Sequence, residues 1–168
     1  MKATIPNLLT LLRYILAVAL PLMALLGAEH TWLFIVFVMG AASDAEGFIA
    51  RTFNMESDWG KKHDPKADKW LVRGAAVTVL YLYPANILLW LFLLLNLTRD
   101  YFIDILRDRA TQPLDVIKAA KYKTACQMVG LAVVLAGFVW AGVALLGLAA
   151  YLAVYSGWQY VQSYKTFK

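Results

Sequence analysis

The run LLTLLRYILAVALPLMALL, Leu8–Leu26, indicates which class of protein this is. A bilayer core needs about 20 apolar residues from each helix that crosses it, and this run has that length with one charged residue, Arg13. No small-residue cleavage site follows a short apolar core, so we interpret the run as a first span and not as a signal peptide. The whole chain has the same character, because 61% of its 168 residues are hydrophobic and only 16% are charged.

Similar apolar stretches recur along the chain. We predict an all-α integral membrane protein with one domain, residues 1–168, and six transmembrane helices. The predicted spans are 7–27, 32–50, 70–83, 86–106, 122–138 and 141–160, with breaks at Gly27, Pro84 and Gly142. The third and fifth spans are short for a bilayer and the second ends in charged residues, which favours a polar cavity between the helices. The single cysteine, Cys126, excludes an internal disulfide.

Lys and Arg residues are confined to one set of connections. They lie at the N-terminus, in or beside the second and fourth connections, and at the C-terminus, whereas the other three connections have none. Cytoplasmic loops collect positive charge, so both termini are predicted to be cytoplasmic. The net charge of +5 then describes one face, with membrane lipids and not nucleic acid as its partners. The alternative is that these charges serve only insertion and attraction to anionic lipid.

Acidic residues concentrate between Asp44 and Asp68, which bound six of the eleven in the chain. Asp64 and Asp68 are four residues apart, so on a helix they lie on one face about a turn apart. Glu46 lies near the cytoplasmic end of the second span. If the second and third spans pack antiparallel, Glu46 lies at the same depth in the membrane as Asp64. Carboxylate oxygens suit Mg²⁺ or Mn²⁺, and these ions commonly bridge to substrate phosphates. The pattern predicts a divalent metal site.

Small residues and an arginine follow Glu46. Gly47 and Ala50 would let a ligand or another backbone approach closely, and Arg51 adds a positive charge suited to a phosphate. Together with the carboxylates this favours phosphate chemistry. The alternative is a Gly/Ala packing seam with surface ion pairs at a helix end.

At this point the sequence resembles a known family. Gly47-Phe48-Ile49-Ala50-Arg51, then eight residues, then Gly60-x-x-x-Asp64-x-x-x-Asp68 is similar to the signature of the CDP-alcohol phosphatidyltransferases, D-x-x-D-G-x-x-A-R-x8-G-x-x-x-D-x-x-x-D. The likeness also covers Ile5–Arg13 and Asp64-Pro65-x-Ala67-Asp68-Lys69. Arg99-Asp100 and Lys121-x-Lys123-Thr124-x-x-Gln127 resemble the branch that makes phosphatidylglycerophosphate.

The resemblance implies a fold and an activity. The fold would be six transmembrane helices, as a homodimer, around a cavity open to the cytoplasm, and by analogy the location is a bacterial inner membrane. The activity would be transfer of a phosphatidyl group from CDP-diacylglycerol to a small phosphorylated alcohol, first of all glycerol 3-phosphate, with release of CMP, in phospholipid biosynthesis. Two divalent ions, Mg²⁺ or Mn²⁺, would assist.

The resemblance also implies roles for particular residues. Asp68 would be the catalytic base, and the metal ligands would be Asp44, Glu46, Asp64 and Asp68. The CDP-lipid would contact Asn7, Thr10, Gly47, Arg51, Ser57 and Gly60. The acceptor phosphate would contact Arg99, Arg107, Lys121 and Lys123. Each of these last four can equally be a charge that only sets topology.

The first half of the signature departs from the family pattern, since Ser43-Asp44-Ala45-Glu46-Gly47 stands where the family has D-x-x-D-G. Without a gap, Ser43 takes the first acidic position; with a one-residue deletion, Asp44 takes it. Asp44 and Glu46 point about 160° apart on an ideal helix, so Asp44 could join the site only through a local distortion. A serine removes one formal charge, and a glutamate displaces the other by a methylene, so metal affinity and catalysis should both weaken.

This departure leaves two classes of function open. The first is an active transferase, and the second is a catalytically impaired relative that binds CDP-lipid or partners an active enzyme. A more distant possibility is a small transporter unrelated to lipid synthesis, and the intact Arg51, Ser57, Gly60, Asp64 and Asp68 argue against it. The acceptor is also open within the family, so a transferase for another acceptor, such as inositol phosphate, is a further alternative.

Overall fold

The structure, a computed structural model, describes residues 5–52, 58–109 and 118–166. Within these ranges it describes the side chains except at 5–6, 44–52, 58–62, 107–108 and 163–166. Six helices make up the regular secondary structure of the described residues, and no strand occurs among them. They are α1 (Ile5–Leu25), α2 (His30–Thr52), α3 (Asp58–Leu82), α4 (Ile87–Arg109), α5 (Lys118–Leu135) and α6 (Val139–Thr166). The predicted all-α class and the number of helices are confirmed over this part of the chain.

Two of the described helices are long and apolar enough to cross a membrane. These segments are Asn7–Leu25 in α1, with a mean hydropathy of 2.1, and Val139–Gln162 in α6, with a mean hydropathy of 1.8. A shorter apolar segment, His30–Ser43, lies in α2. Length and composition alone define these segments, and they support the membrane class. The other predicted spans stay predictions.

The third helix begins much earlier than the predicted span at residue 70. Residues 58–69 are rich in charge, yet they form the first three turns of α3 and continue without a break into its apolar half. The charged side chains of this part find partners on α1: Thr10 donates a hydrogen bond to Asp64, and Arg13 forms an ion pair with Asp68. Tertiary contacts therefore stabilise a helical segment that has no apolar face of its own.

The predicted break at Gly142 is wrong. The turn between α5 and α6 lies at Gly137, whose φ of 93° is readily adopted only by glycine. Gly142 lies within α6, where an added Cβ would be 2.2 Å from Val134 Cγ2 and 2.9 Å from the Gly130 carbonyl oxygen. Its missing side chain allows α6 to pack closely on α5. The break at Gly27, with φ of 77°, is where the sequence predicts it.

The chain divides into two units. The first holds residues 1–82 and 135–137, and the second holds residues 83–134 and 138–168. In the first unit, α1 packs against α3 and α2, and α2 packs against α3. An added Cβ on Gly74 would lie 2.1 Å from the Ala17 carbonyl oxygen, so the backbones of α3 and α1 are in direct contact.

The second unit is built on the packing of α4 against α6. Fully buried leucines from these two helices include Leu89, Leu93 and Leu146. Nearer the charged ends of the helices, Ile103, Ala120 and Tyr160 form a small apolar cluster that joins α4, α5 and α6. Each unit has its own buried core, and each carries a polar cluster inside it.

Candidate active site

The polar cluster of the first unit centres on Arg13, which is only 1% exposed although it lies in the apolar helix α1. Its Nη1 donates to Asp68 Oδ1 at 2.7 Å. Its Nε donates to Ser43 Oγ at 2.8 Å, and its Nη2 donates to the Ser43 carbonyl oxygen at 2.9 Å. A buried cation is stable only where partners of this kind replace water. One guanidinium thus joins α1 to both α2 and α3.

A second link between α1 and α3 lies one turn away from the first. Thr10, which is fully buried, donates its hydroxyl proton to Asp64 Oδ1. Thr10 and Arg13 share one stripe of α1, as Asp64 and Asp68 share one stripe of α3. The two carboxylates therefore both accept hydrogen bonds from α1. The side chain of Asp68 remains 34% exposed, which leaves it open to a ligand.

The donor atoms of this cluster suit a hard divalent cation, because carboxylate oxygens are what Mg²⁺ and Mn²⁺ prefer. Asp64 and Asp68 supply two carboxylates. Among the described side chains no group of three or more His, Cys, Asp or Glu residues could hold a metal ion. Asp44 and Glu46, the other two predicted ligands, lie on α2, but their side chains are outside the described ones. The carboxylate oxygens of Asp64 and Asp68 are of the type that the predicted ions prefer. The described side chains thus include two of the four predicted metal ligands.

The predicted CDP-lipid residues are spread over α1 and the ends of α2 and α3. Asn7 lies on α1 and is half-buried, three residues before Thr10. Gly47 and Arg51 lie near the C-terminal end of α2, and Gly60 lies in the first turn of α3. The side chain of Arg51 is outside the described ones, and Ser57 is outside the described residues altogether.

The polar cluster of the second unit centres on Asp100. Lys123, with no exposed surface, donates to Asp100 Oδ2 at 2.5 Å and to Gln127 Oε1 at 2.6 Å. The neighbouring Arg99 donates to Asp100 Oδ1 at 3.2 Å, so one carboxylate serves two cations. Arg99 also donates to Ser156 Oγ at 2.7 Å and lies 5.4 Å from the ring centre of Tyr160. The cluster connects α4, α5 and α6.

This second cluster holds two buried N–H donors, Arg99 Nε and Gln127 Nε2, for which the described residues supply no hydrogen-bond partner. A buried donor left unsatisfied costs about 1–3 kcal/mol, more when it belongs to a charged group. Such a cost is removed when a ligand brings an acceptor atom. Two cations, one carboxylate and two spare donors together favour an anionic ligand.

The four residues predicted to bind the acceptor phosphate differ in their surroundings. Arg99 and Lys123 meet in one buried cluster. Lys121, two positions from Lys123 on α5, is exposed. Arg107 lies on α4, and its side chain is outside the described ones.

Several members of these clusters have no role in the sequence-based prediction. Arg13 enters it only as the one charge of the first apolar run and as the last residue of the Ile5–Arg13 likeness, although a single cation in a long apolar run is a signal for a buried ion pair. Gln127 belongs to the motif Lys121-x-Lys123-Thr124-x-x-Gln127, but the resemblance gives it no role. Ser156 was missed entirely, because 57 residues separate it from Arg99 and no periodicity links the two.

Comparison with known proteins gives a consistent result. The family model described as CDP-alcohol phosphatidyltransferase matches residues 3–155. A CDP-diacylglycerol–glycerol-3-phosphate 3-phosphatidyltransferase of Rickettsia typhi is 31% identical over 145 residues, which cover 79% of this chain and 80% of the relative. Proteins of the same name from Cereibacter sphaeroides and Escherichia coli K12 are each 34% identical. The former match covers 82% of this chain and 65% of the relative, and the latter covers 97% and 96%. With most of its length matched, and with the signature aspartates side by side on α3, the chain belongs to the CDP-alcohol phosphatidyltransferase family.

Proposed function

We propose that this protein transfers the phosphatidyl group of CDP-diacylglycerol to glycerol 3-phosphate and releases CMP. The relatives named above carry this activity in their names. The observation that carries the proposal is the pair Asp64 and Asp68, one turn apart on α3, each held by a side chain of α1. This is the part of the family signature in which an acceptor hydroxyl would be activated.

In this transfer the hydroxyl oxygen of the acceptor forms a bond to the phosphorus next to the diacylglycerol. The bond from that phosphorus to the oxygen of CMP breaks, and the hydroxyl proton passes to the Asp68 carboxylate. A base for this step must reach the hydroxyl within hydrogen-bond distance. Asp68 suits it, because its side chain is partly exposed while Arg13 fixes one of its oxygens.

Asp64 and Asp68, with Asp44 and Glu46, would hold the divalent ions, Mg²⁺ or Mn²⁺, two of them as in the family. When bound, such ions supply positive charge to the pyrophosphate and lower the pKa of an acceptor hydroxyl. Thr10 holds one oxygen of Asp64 from α1. Hydrogen bonds of this kind to a ligating carboxylate fix its orientation.

The cluster of the second unit would bind the phosphate of the acceptor. A phosphate dianion offers acceptor oxygens to Arg99 and Lys123. Arg99 Nε and Gln127 Nε2 are two buried donors that lack a hydrogen-bond partner in the described part of the chain. Charge-assisted hydrogen bonds of this type are about twice as strong as neutral ones. Arg107 and Lys121 would add positive charge near the acceptor.

The proposal extends to the membrane arrangement and to the nucleotide. All six helices would cross a bacterial inner membrane, with both termini and a polar cavity facing the cytoplasm, and the protein would be a homodimer. The Lys and Arg residues of the sequence support this orientation. Asn7, Thr10, Gly47, Arg51, Ser57 and Gly60 would contact the CDP-lipid, since by the family resemblance they correspond to its nucleotide and pyrophosphate contacts.

The test is CMP release by the purified full chain in liposomes with CDP-diacylglycerol, glycerol 3-phosphate and Mg²⁺ or Mn²⁺. We expect release by the wild type and a loss of about a thousandfold in kcat for Asp68→Asn, since a positioned base contributes about 10²–10⁴-fold. Glu29→Gln, at an exposed carboxylate between α1 and α2, is the control.

Two results would contradict the proposal. A preference for inositol phosphate over glycerol 3-phosphate would change the acceptor. Binding of CDP-diacylglycerol without CMP release for any phosphorylated alcohol would indicate a non-catalytic relative that binds the lipid or partners an active enzyme.

A further inference from the structure

We propose that Ser43 and Arg13 form a positioning pair: Ser43 anchors the guanidinium of Arg13, Arg13 holds the carboxylate of Asp68, and Ser43 is not a metal ligand. This inference rests on the proposed function, in which Asp68 is the base that takes the proton of the acceptor hydroxyl. It also bears on the first acidic position of the family signature. In the alignment without a gap that position falls on Ser43.

The hydroxyl group of Ser43 is already engaged on both sides. It donates its proton to the Gly40 carbonyl oxygen at 2.7 Å and accepts a hydrogen bond from Arg13 Nε at 2.8 Å. A serine hydroxyl has one proton and two lone pairs, so a single lone pair remains. The residue is 5% exposed. Ser43 therefore has the environment of a buried helix hydroxyl with fixed partners.

A metal ion on the remaining lone pair would lie too close to another cation. Mg²⁺ binds oxygen at about 2.1 Å, and Arg13 Nε lies 2.8 Å from the same oxygen. The dication and the guanidinium nitrogen could then be at most about 5 Å apart, in a buried place where like charges repel strongly. Ser43, unlike Asp68, brings no negative charge to offset this repulsion, so the charge of Arg13 disfavours a metal ion at Ser43 Oγ.

The same contacts fix where Arg13 points. Two of its nitrogens bind two oxygens of one residue, the hydroxyl and the carbonyl of Ser43. Because the guanidinium is planar, these two bonds set the orientation of the whole group. Its third nitrogen, Nη1, then meets Asp68 Oδ1 at 2.7 Å. Arg13 acts through Asp68, and Ser43 acts through Arg13.

The consequence for the signature is that position 43 carries no metal. Of the two alignments, only the one with a one-residue deletion still offers an acid, Asp44, to the first position. The metal site of this chain is then built from Asp64, Asp68, Glu46 and Asp44, or it lacks the first ligand.

The first test counts bound Mn²⁺ by electron paramagnetic resonance on the full chain in detergent. Ser43→Ala should bind as many ions as the wild type. Its Kd should rise no more than that of Arg13→Gln, because both variants would weaken binding only through the orientation of Asp68, an effect of about 10- to 100-fold at most. Thr98→Ala, at an exposed helix hydroxyl, is the matched control.

Either of two results would overturn the inference: Ser43→Ala loses an ion that Arg13→Gln retains, or its Kd rises clearly more than that of Arg13→Gln. A wild type without bound Mn²⁺ would contradict the proposed metal site, and kcat would then decide the positioning role.

The second test separates positioning from folding by kinetics per active site. We expect Arg13→Gln and Ser43→Ala to lower kcat by about 10- to 100-fold with KM for CDP-diacylglycerol nearly unchanged, because a base displaced by about 1 Å loses on that order. Ser43→Thr, which keeps the hydroxyl, should restore most of kcat. Arg13→Lys should not, because a lysine cannot bind the hydroxyl and the carbonyl oxygen of Ser43 with two nitrogens of one planar group.

An unchanged kcat in Ser43→Ala, or a loss that appears in KM alone, would overturn the positioning role. A wild type without CMP release would contradict the proposed function, while the Mn²⁺ counts would still decide whether Ser43 is a ligand.

Discussion

The two units of this protein both bury cations, but with opposite charge balance. In the first, Arg13 is accompanied by two carboxylates, Asp64 and Asp68. In the second, Arg99 and Lys123 share the carboxylate of Asp100. Among these described groups, the first cluster has one carboxylate more than it has cations, and the second has one cation more than it has carboxylates. This balance favours a cation as the ligand of the first cluster and an anion as the ligand of the second.

The two clusters also differ in how their donors are used. In the first, three nitrogens of Arg13 have partners on α2 and α3. In the second, Arg99 Nε and Gln127 Nε2 are buried without a hydrogen-bond partner among the described residues. Unsatisfied buried donors are costly, which favours a place completed by a ligand. By our proposal the first network fixes the carboxylate of Asp68, and the second binds an anionic ligand.

The largest effect that would sharpen this comparison is expected from Lys123→Met. Removing one cation leaves Asp100 to offset Arg99, so the second cluster loses its excess positive charge. We expect kcat/KM for glycerol 3-phosphate to fall about 100-fold, mainly through KM, since truncating a buried charge partner costs about 2–5 kcal/mol. Steady-state CMP release measures it. Lys118→Met, at an exposed lysine of the same helix, is the control. An equal loss in Lys118→Met would show that glycerol 3-phosphate responds to the general positive charge of the surface and not to a specific site at Lys123.

A smaller effect is expected from Gln127, whose amide has two separate tasks. Gln127→Glu keeps an oxygen for Lys123 but replaces the unpartnered donor with a negative oxygen. We expect KM for glycerol 3-phosphate to rise about 10-fold, the value of one hydrogen bond to a charged group. The KM of the variant, with exposed Gln162→Glu as control, tests this. A wild-type KM in Gln127→Glu would mean that the donor does not meet the acceptor, and the contrast between the clusters would lose its functional meaning.

The smallest effect concerns the packing that supports the first cluster. Gly74→Ala would place a methyl 2.1 Å from the Ala17 carbonyl oxygen and force α1 and α3 apart. We expect a loss of about 1–3 kcal/mol in stability, visible as a lower unfolding temperature in detergent. Gly157→Ala, where the nearest atom is Arg99 Cγ at 3.8 Å, should not lower it. Equal temperatures for the two variants would show that α1 and α3 can separate without cost.

The helices were predictable from the sequence because apolar runs and glycine breaks are local signals. Gly27 and Pro84 were placed correctly, since a left-handed turn and a missing N–H act at the residue itself. Gly142 was misplaced because glycine also permits close helix packing, and its neighbours Gly130 and Val134 lie on another helix. The start of α3 was missed because its charged first half is stabilised by α1 and has no apolar pattern.

The sequence by itself determined the helix count and the family signature, and with them the spacing that puts Asp64 and Asp68 on one face. Periodicity and motif spacing carry such information without any knowledge of neighbours. Only the tertiary structure decided which of the described Lys and Arg side chains are buried and what they bind. Arg13 meets partners 30 and 55 residues away in the chain, and Arg99 meets one 57 residues away. A buried charge is defined by the groups that replace its water, and those groups are brought together only when the helices pack.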